Sequence, residues 1–163
     1  MRADPLDALR VEVEQYIAAP PEQVWAMLTD VPEMARWSPE VVEASWLDRP
    51  VSEGARFRAT NRRGGMEWSV TCHVLASEAP TRFVWCVSDP ASPSSTWSYD
   101  LAPREAGTLV TQRFQHGPGA SLVREMASAR GADADGIVRW RAEMLAADMA
   151  GVLARAANVL EEG

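Results

Sequence analysis

The sequence predicts an α+β fold in which a curved antiparallel sheet of six to seven strands packs around one long C-terminal helix. Between about residues 9 and 116, short segments alternate apolar and polar residues and are separated by turn signals. From residue 137 to residue 160, apolar residues instead recur every three or four positions, which is the period of a helix. At 163 residues, the chain is expected to form a single domain over 1–163.

Two short helices are predicted between the first strand, residues 9–17, and the rest of the sheet. Pro21 suits the first turn of a helix over residues 22–28, because its missing N–H is not needed there. Asp30 is typical of the start of a second helix, and Pro39 ends it. The two helices follow one another along the chain, directly after the first strand.

Six further strands are predicted from the same alternation of apolar and polar residues. They cover residues 41–47, 55–62, 66–76, 81–87, 96–101 and 108–116. Gly64 and Gly65 lie between the second and third of these segments, and a Gly-Gly pair readily adopts the positive φ angles of a two-residue hairpin. Four arginines near this hairpin are predicted to lie on its solvated convex face: Arg56, Arg58, Arg62 and Arg63.

The C-terminal helix is predicted over residues 137–160 and carries one continuous apolar stripe. Its members are Ile137, Trp140, Met144, Leu145, Met149, Val152, Leu153, Ala156, Val159 and Leu160. Residues 118–136 separate this helix from the last strand. They are predicted to hold a short helix over 121–130 and a hinge-like break over 131–136, so the whole segment is a candidate lid.

Charge and composition exclude several classes of function. The formal net charge of −7 leaves no electrostatic footprint for nucleic acid or for an anionic membrane. No stretch approaches the roughly 18–20 apolar residues of a membrane span, so no membrane insertion is expected. The first twenty residues contain no apolar run, which favours a cytoplasmic location over secretion.

A sheet wrapped around one helix cannot close everywhere, and it tends to leave an apolar hollow between the two layers. The chain has seven tryptophans against three phenylalanines and two tyrosines, which suggests large apolar side chains lining such a hollow. We therefore expect a hydrophobic small molecule as the partner. The sequence is compatible with a homodimer and does not set the oligomeric state.

Five short motifs carry a resemblance to a known family. They are VEV at 11–13, IAAPPEQVW at 17–25, LTDVPEMARW at 28–37, EGARF at 53–57 and GTLVT at 107–111. Together with the element order, they resemble the START/Bet v 1-like superfamily, most of all its bacterial polyketide cyclase/dehydrase-like branch, the SRPBCC proteins. The resemblance spans nearly the whole chain and implies a helix-grip fold. It implies no one function, since members include lipid, steroid and plant-hormone carriers, aromatase/cyclases and chaperone cofactors.

The sequence lacks the motifs of common metal and cofactor sites. Its two histidines, His73 and His116, have no Cys, His or carboxylate at ligand spacing. No G-x-G-x-x-G, GK[ST] or G-x-S-x-G motif occurs. The sequence therefore predicts no metal site and no cofactor.

The ligand-binding residues are predicted to be mostly aromatic, with two methionines and a few polar contacts. They are Trp25, Trp37, Phe57, Asn61, Trp68, Trp85, Trp97, Tyr99, Gln112, Phe114, Met144 and Met149. The polar members share strand faces with apolar residues. A buried polar group needs a hydrogen bond, so these side chains either pair within the protein or contact a ligand.

The facing of the last strand decides which catalytic candidates reach the hollow. If Val110 and Phe114 point inward, so do Gln112 and His116, and His116 can act as a general acid or base near neutral pH. If the opposite face points inward, Arg113 can bind a carboxylate or enolate. Tyr99 is the third candidate. The sequence leaves both arrangements open.

Three classes of function fit these features. A carrier or sensor of a lipid-like or polycyclic molecule needs only an apolar cavity. A polyketide cyclase or dehydratase also needs an acid or base aimed into that cavity. A protein-interaction module predicts a filled interior and an exposed apolar patch.

Overall fold

Seven strands form one antiparallel sheet in the structure, a computed structural model that describes residues 4–162. The strands are β1 (Arg10–Ile17), β2 (Val41–Trp46), β3 (Arg56–Arg63), β4 (Met66–Glu78), β5 (Arg82–Val87), β6 (Ser95–Arg104) and β7 (Gly107–His116). Their order across the sheet is β1-β7-β6-β5-β4-β3-β2. The segments predicted from alternation match these strands, with ends that shift by only a few residues.

β1 and β2 are consecutive in the chain but form opposite edges of the sheet. Two short helices, α1 (Pro21–Leu28) and α2 (Met34–Trp37), connect them, with a 3₁₀ turn at Val31–Glu33 between the helices. Pro21 occupies the first turn of α1, as its fixed φ favours. The prediction of two short helices after the first strand is confirmed. They carry the chain from one edge of the sheet to the other.

The β3–β4 hairpin turns through Gly64 and Gly65 alone. Arg63 pairs with Met66, and the two glycines have φ angles of 56° and 82°. Both values lie in the left-handed region that side chains disfavour, so a two-residue turn of this kind requires glycine or asparagine-like residues. The hairpin predicted from the Gly-Gly pair is therefore present.

After β7, helix α3 (Leu122–Arg130) and a 3₁₀ turn at Gly131–Asp133 lead into helix α4 (Ala134–Glu162). The predicted break over 131–136 is shorter in the structure and covers only 131–133, since the long helix already begins at Ala134. Gly136 does not interrupt it. A side chain at Gly136 would put its Cβ 2.9 Å from Asp133 Oδ1, so glycine leaves room for that carboxylate in the first turn.

Fewer apolar side chains of helix α4 are buried than its sequence pattern predicts. Its buried side chains are Leu145, Met149, Leu153, Ala156 and Ala157. The predicted stripe also included Trp140 and Val159, but these are 47% and 46% exposed. Trp140 lies on the part of α4 that lines the cavity, and Val159 lies in the last turn of this helix, which is about 44 Å long at 1.5 Å per residue. Among residues 4–162, no helix combines the length and apolar content needed to cross a membrane.

The core is split into two clusters along α4. Toward the C-terminal end, Leu153 and Ala156 pack with Val24 of α1 and with Val110 and Phe57 of the sheet. Toward the N-terminal end, a second cluster joins α3, α4, β7 and the segment before β1; it contains Leu6, Leu9, Val11, Phe114, Val123, Ala127, Leu145 and Met149. The two clusters hold the helix against the sheet at both ends.

Candidate functional site

A cavity of about 680 Å³ separates the inner face of the sheet from α4. Strands β3 to β7 form one wall, and α4 forms the opposite wall through side chains that include Met144 and Met149. Trp37 of α2 and Val123 of α3 lie at its margins. Small-molecule sites typically have volumes of roughly 300–1,000 Å³, so this cavity is large enough for a ligand of several rings.

A row of aromatic side chains crosses the sheet side of the cavity. Trp85, Trp97 and Phe114 are direct neighbours in the register of β5, β6 and β7. The two indoles stack with an interplanar angle of 5° and centroids 6.0 Å apart, and Phe114 meets Trp97 edge-on at 4.7 Å. Phe57 extends the row to β3, with its centroid 6.5 Å from that of Trp85. The pairing of strands thus gathers distant aromatic residues into one apolar surface.

The structure places all the predicted ligand-binding residues along this cavity except Trp25. Trp25 lies on the buried face of α1 and packs edge-on against Phe83, with centroids 5.9 Å apart. It borders a separate hollow beside Trp46 and Val51. The prediction that Trp25 lines the main cavity is wrong, because α1 reaches this cavity only through its C-terminal residues Met27 and Leu28.

Arg113 points away from the cavity, which decides the facing of β7. Its Nε donates to Glu12 Oε1 at 2.6 Å and its guanidinium donates to Asp100 Oδ2 at 2.7 Å, both on the outer face. Gln112 and His116 therefore face inward, and each is only 4% exposed. Arg113 therefore does not reach the cavity as an anchor for a ligand anion, because its guanidinium pairs with carboxylates from the strands on either side of β7.

His116 links the end of β7 to the start of α3. Its Nε2 lies 2.8 Å from Ser121 Oγ, and that hydroxyl oxygen also accepts a 3.0 Å hydrogen bond from the backbone N–H of Arg124. Ser121 is thus the N-cap residue of α3. His116 and Ser121 both line the cavity.

Burial keeps three titratable side chains of the cavity uncharged: Tyr99, Cys72 and His116. Burial raises the pKa of the Tyr99 phenol, and it raises the pKa of the Cys72 thiol to about 12. Burial, reinforced by Arg124, lowers the pKa of His116 below its ordinary value, against an opposing effect of the Gly117 backbone. Near pH 7 all three groups are neutral. In the part of the chain that the structure describes, no three His, Cys, Asp or Glu side chains are grouped to hold a metal ion.

A cluster of four charged residues, which sequence reasoning missed, lies at the β3 edge of the cavity. Arg63 contacts Asp148 and lies 3.5 Å from Glu40 Oε2, while Arg141 lies 3.6 Å from the same oxygen. All four residues line the cavity. This cluster, called the ion quartet below, joins β3, α4 and the loop before β2. Arg63 is therefore not on the solvated convex face predicted for it, since it shares inward parity with Phe57.

Four buried polar atoms have no hydrogen-bond partner among the described residues: Trp37 Nε1, Arg63 Nε, Gln112 Oε1 and His116 Nδ1. All four residues line the same cavity. A buried polar atom without a partner costs about 1–3 kcal/mol of stability. Such atoms are rare in folded proteins, and their collection around one cavity is the arrangement expected of a polar contact set for a bound molecule.

A family model described as "Polyketide cyclase / dehydrase and lipid transport" matches residues 8–161. The solution structure of the Polyketide_cyc-like protein Cgl2372 from Corynebacterium glutamicum is 24% identical, with 94% of this chain and 91% of that chain covered and a TM-score of 0.68. The di-domain ARO/CYC StfQ from the steffimycin biosynthetic pathway is 16% identical over 94% of this chain and 51% of that chain, with a TM-score of 0.74. The crystal structure of Ara h 8.0201 is 15% identical, with 90% of this chain and 96% of that chain covered and a TM-score of 0.57. No curated protein matches the sequence. These likenesses confirm the predicted helix-grip fold.

Proposed function

Because the chain belongs to the polyketide cyclase/dehydrase and lipid transport family, we propose that it binds a hydrophobic small molecule, lipid-like or polycyclic, between its sheet and α4. The observation that carries this proposal is the cavity of about 680 Å³ behind the aromatic row. Each 100 Å² of apolar ligand surface removed from water contributes about 2.5 kcal/mol before the entropic cost of binding. The open cavity also does not fit the protein-interaction module, which requires a filled interior.

The neutral state of the interior supports an apolar ligand. The Tyr99 phenol, the Cys72 thiol and the His116 imidazole are all uncharged near pH 7, because burial disfavours their charged forms. Methionines Met144 and Met149 on the opposite wall have flexible thioether side chains that adapt to irregular apolar shapes. Away from the ion quartet, both walls therefore favour contact with hydrocarbon over contact with ions.

Filling the cavity is expected to abolish this binding. Ala59 is buried on β3 and lines the cavity, so Ala59→Phe should place a ring in the ligand's space. The neutral fluorescent probe N-phenyl-1-naphthylamine should bind the wild type, and its Kd should rise by roughly tenfold or more in the variant. Met144→Trp, which fills the cavity from the helix side, should have the same effect.

The control is Ala102→Phe, the same substitution at an exposed position of β6 outside the cavity. It should leave the Kd of the probe unchanged. Thermal unfolding followed by circular dichroism identifies any variant that has lost its fold. Equal probe affinity in folded Ala59→Phe, Met144→Trp and wild-type protein would contradict the proposed cavity site.

Cyclisation or dehydration of a polyketide-like compound is a second candidate function, favoured by one observation. His116 lines the cavity, is neutral near pH 7 and is oriented by Ser121 Oγ at 2.8 Å, which is the state required of a general base. Two similar folds, StfQ and BexL, are described as di-domain ARO/CYC proteins.

Mass spectrometry of the compound that co-purifies from the native host separates the two candidates. His116→Gln keeps a hydrogen-bonding side chain but cannot exchange a proton near pH 7. A carrier should yield the same compound from wild type and variant. An enzyme should accumulate in the variant a precursor that is uncyclised or richer by one water, and the absence of any such precursor would contradict the catalytic role of His116.

A further inference from the structure

The unpartnered polar atoms of the cavity fall into two groups on different walls. Trp37 Nε1 and Arg63 Nε lie at the α2–β3 side, whereas Gln112 Oε1 and His116 Nδ1 lie on β7. Strands β3 and β7 are four positions apart in the sheet, or about 19 Å measured along it at roughly 4.8 Å per strand. The aromatic row lies between the two groups.

The first group consists of donors only. An indole Nε1 and a guanidinium Nε each carry one hydrogen and cannot accept a hydrogen bond. The terminal nitrogen of Arg63 is already engaged by Glu40 and Asp148, which fixes its guanidinium and leaves Nε as its unpaired donor. Both residues are also tied to α4, since the Trp37 backbone carbonyl accepts from Arg155. Two unpartnered donors at one side of the cavity favour an acceptor oxygen on a ligand.

The second group matches a hydroxyl. The Gln112 amide carries an oxygen that accepts and a nitrogen that donates, and the two exchange places by a rotation of the side chain. A ligand hydroxyl both donates and accepts, so it satisfies the amide in either orientation. His116 Nδ1 lies on the same strand, four residues further along.

The charges around the cavity disfavour an anionic ligand. Two guanidiniums, of Arg63 and Arg141, line the cavity together with four carboxylates: Asp30, Glu40, Glu125 and Asp148. The ion quartet already balances both guanidiniums with Glu40 and Asp148. A carboxylate on the ligand would therefore meet no unbalanced positive charge, whereas a ketone or quinone oxygen needs none.

Resting on the small-molecule function proposed above, we propose that the ligand is a neutral, elongated polycyclic compound with an oxygen at each end. Its carbonyl oxygen accepts hydrogen bonds from Trp37 Nε1–H and Arg63 Nε–H, and its hydroxyl bonds to the Gln112 amide. Its apolar middle lies on the aromatic row around Trp85 and Trp97. The two polar ends give the ligand one orientation in a cavity that is otherwise apolar.

Three flat probes of the same ring size test this proposal by displacing N-phenyl-1-naphthylamine: anthracene, 2-acetylanthracene, which has a neutral carbonyl at one end, and anthracene-2-carboxylate. 2-Acetylanthracene should displace the probe at a concentration roughly tenfold lower than anthracene, because a net hydrogen bond is worth about one such factor. The carboxylate should bind more weakly than 2-acetylanthracene. Equal displacement by all three, or tightest binding of the carboxylate, would overturn the proposal.

Trp37→Phe removes the indole N–H and keeps a ring, so it should reduce the preference for 2-acetylanthracene over anthracene several-fold. Trp46→Phe is the matched control outside the main cavity and should leave that preference unchanged. Gln112→Met should remove any extra affinity of 2-(hydroxymethyl)anthracene over anthracene. If the naphthylamine probe binds but none of these preferences changes, this inference fails while the proposed function stands. If no probe binds the wild type, both fail.

Discussion

Replacing Leu153 by alanine is expected to lower the free energy of unfolding by about 3–4 kcal/mol. Leu153 is fully buried on α4, in the cluster that joins this helix to Ile17 of β1 and Val110 of β7. Truncation removes the apolar contacts of the side chain and leaves a void that the surrounding strands and α1 can only partly fill. Urea unfolding followed by circular dichroism measures the change.

Val159→Ala is the control on the same helix. Val159 is 46% exposed, so its truncation should cost less than about 1 kcal/mol. If both variants lose the same stability, or if Leu153→Ala unfolds like the wild type, then the C-terminal half of α4 does not pack against the sheet as described. The cavity would then lack the packing that fixes α4 relative to the sheet.

Replacing Arg63 by methionine is expected to lower the free energy of unfolding by about 2 kcal/mol. Methionine keeps the apolar stem, but the loss of the guanidinium leaves Asp148 without its ion-pair partner and Glu40 with only Arg141 at 3.6 Å. Removing one member of a fully buried pair typically costs about 3–5 kcal/mol. Here the side chains of Arg63, Glu40 and Asp148 are 32%, 14% and 23% exposed, so water reduces the loss.

Arg62→Met tests whether the effect belongs to the ion quartet or to any arginine of the hairpin. Arg62 pairs with Glu67, and these side chains are 60% and 53% exposed. Exposed pairs of this kind contribute about 0–1 kcal/mol. The neighbouring variants should therefore differ clearly in denaturant unfolding. Equal loss in both would mean that the ion quartet adds nothing beyond surface pairing.

The parts of the fold that depend on local signals could be predicted from the sequence. Strand alternation, the glycine pair Gly64-Gly65 and the 3.6-residue period of α4 are all determined within one segment. The sequence does not predict which face of β7 points inward, because each of its faces mixes apolar and polar residues. The structure decides it through Glu12 and Asp100, which lie on the neighbouring strands and together pair with Arg113 on the outer face.

The site was less predictable, since it depends on how elements are placed relative to one another. The period of α1 indicates that Trp25 is buried but not against which neighbour. The charge of Arg63 suggests the solvated face, although its parity with Phe57 and Asn61 indicates the inward face. Its partners Glu40 and Asp148 are distant in sequence, so no local pattern reveals the ion quartet.

The pairing of β1 with β7 has a consequence for the order in which the molecule can assemble. Arg10 lies opposite Gln115, so the first strand of this sheet has no neighbour until the last strand of the sheet has been made. The intervening strands can form successive hairpins as they are synthesised, whereas β1 must wait. Contacts between residues so far apart in sequence form late and slowly. Completion of the sheet, and of the enclosure behind it, is therefore a late event in the folding of this chain.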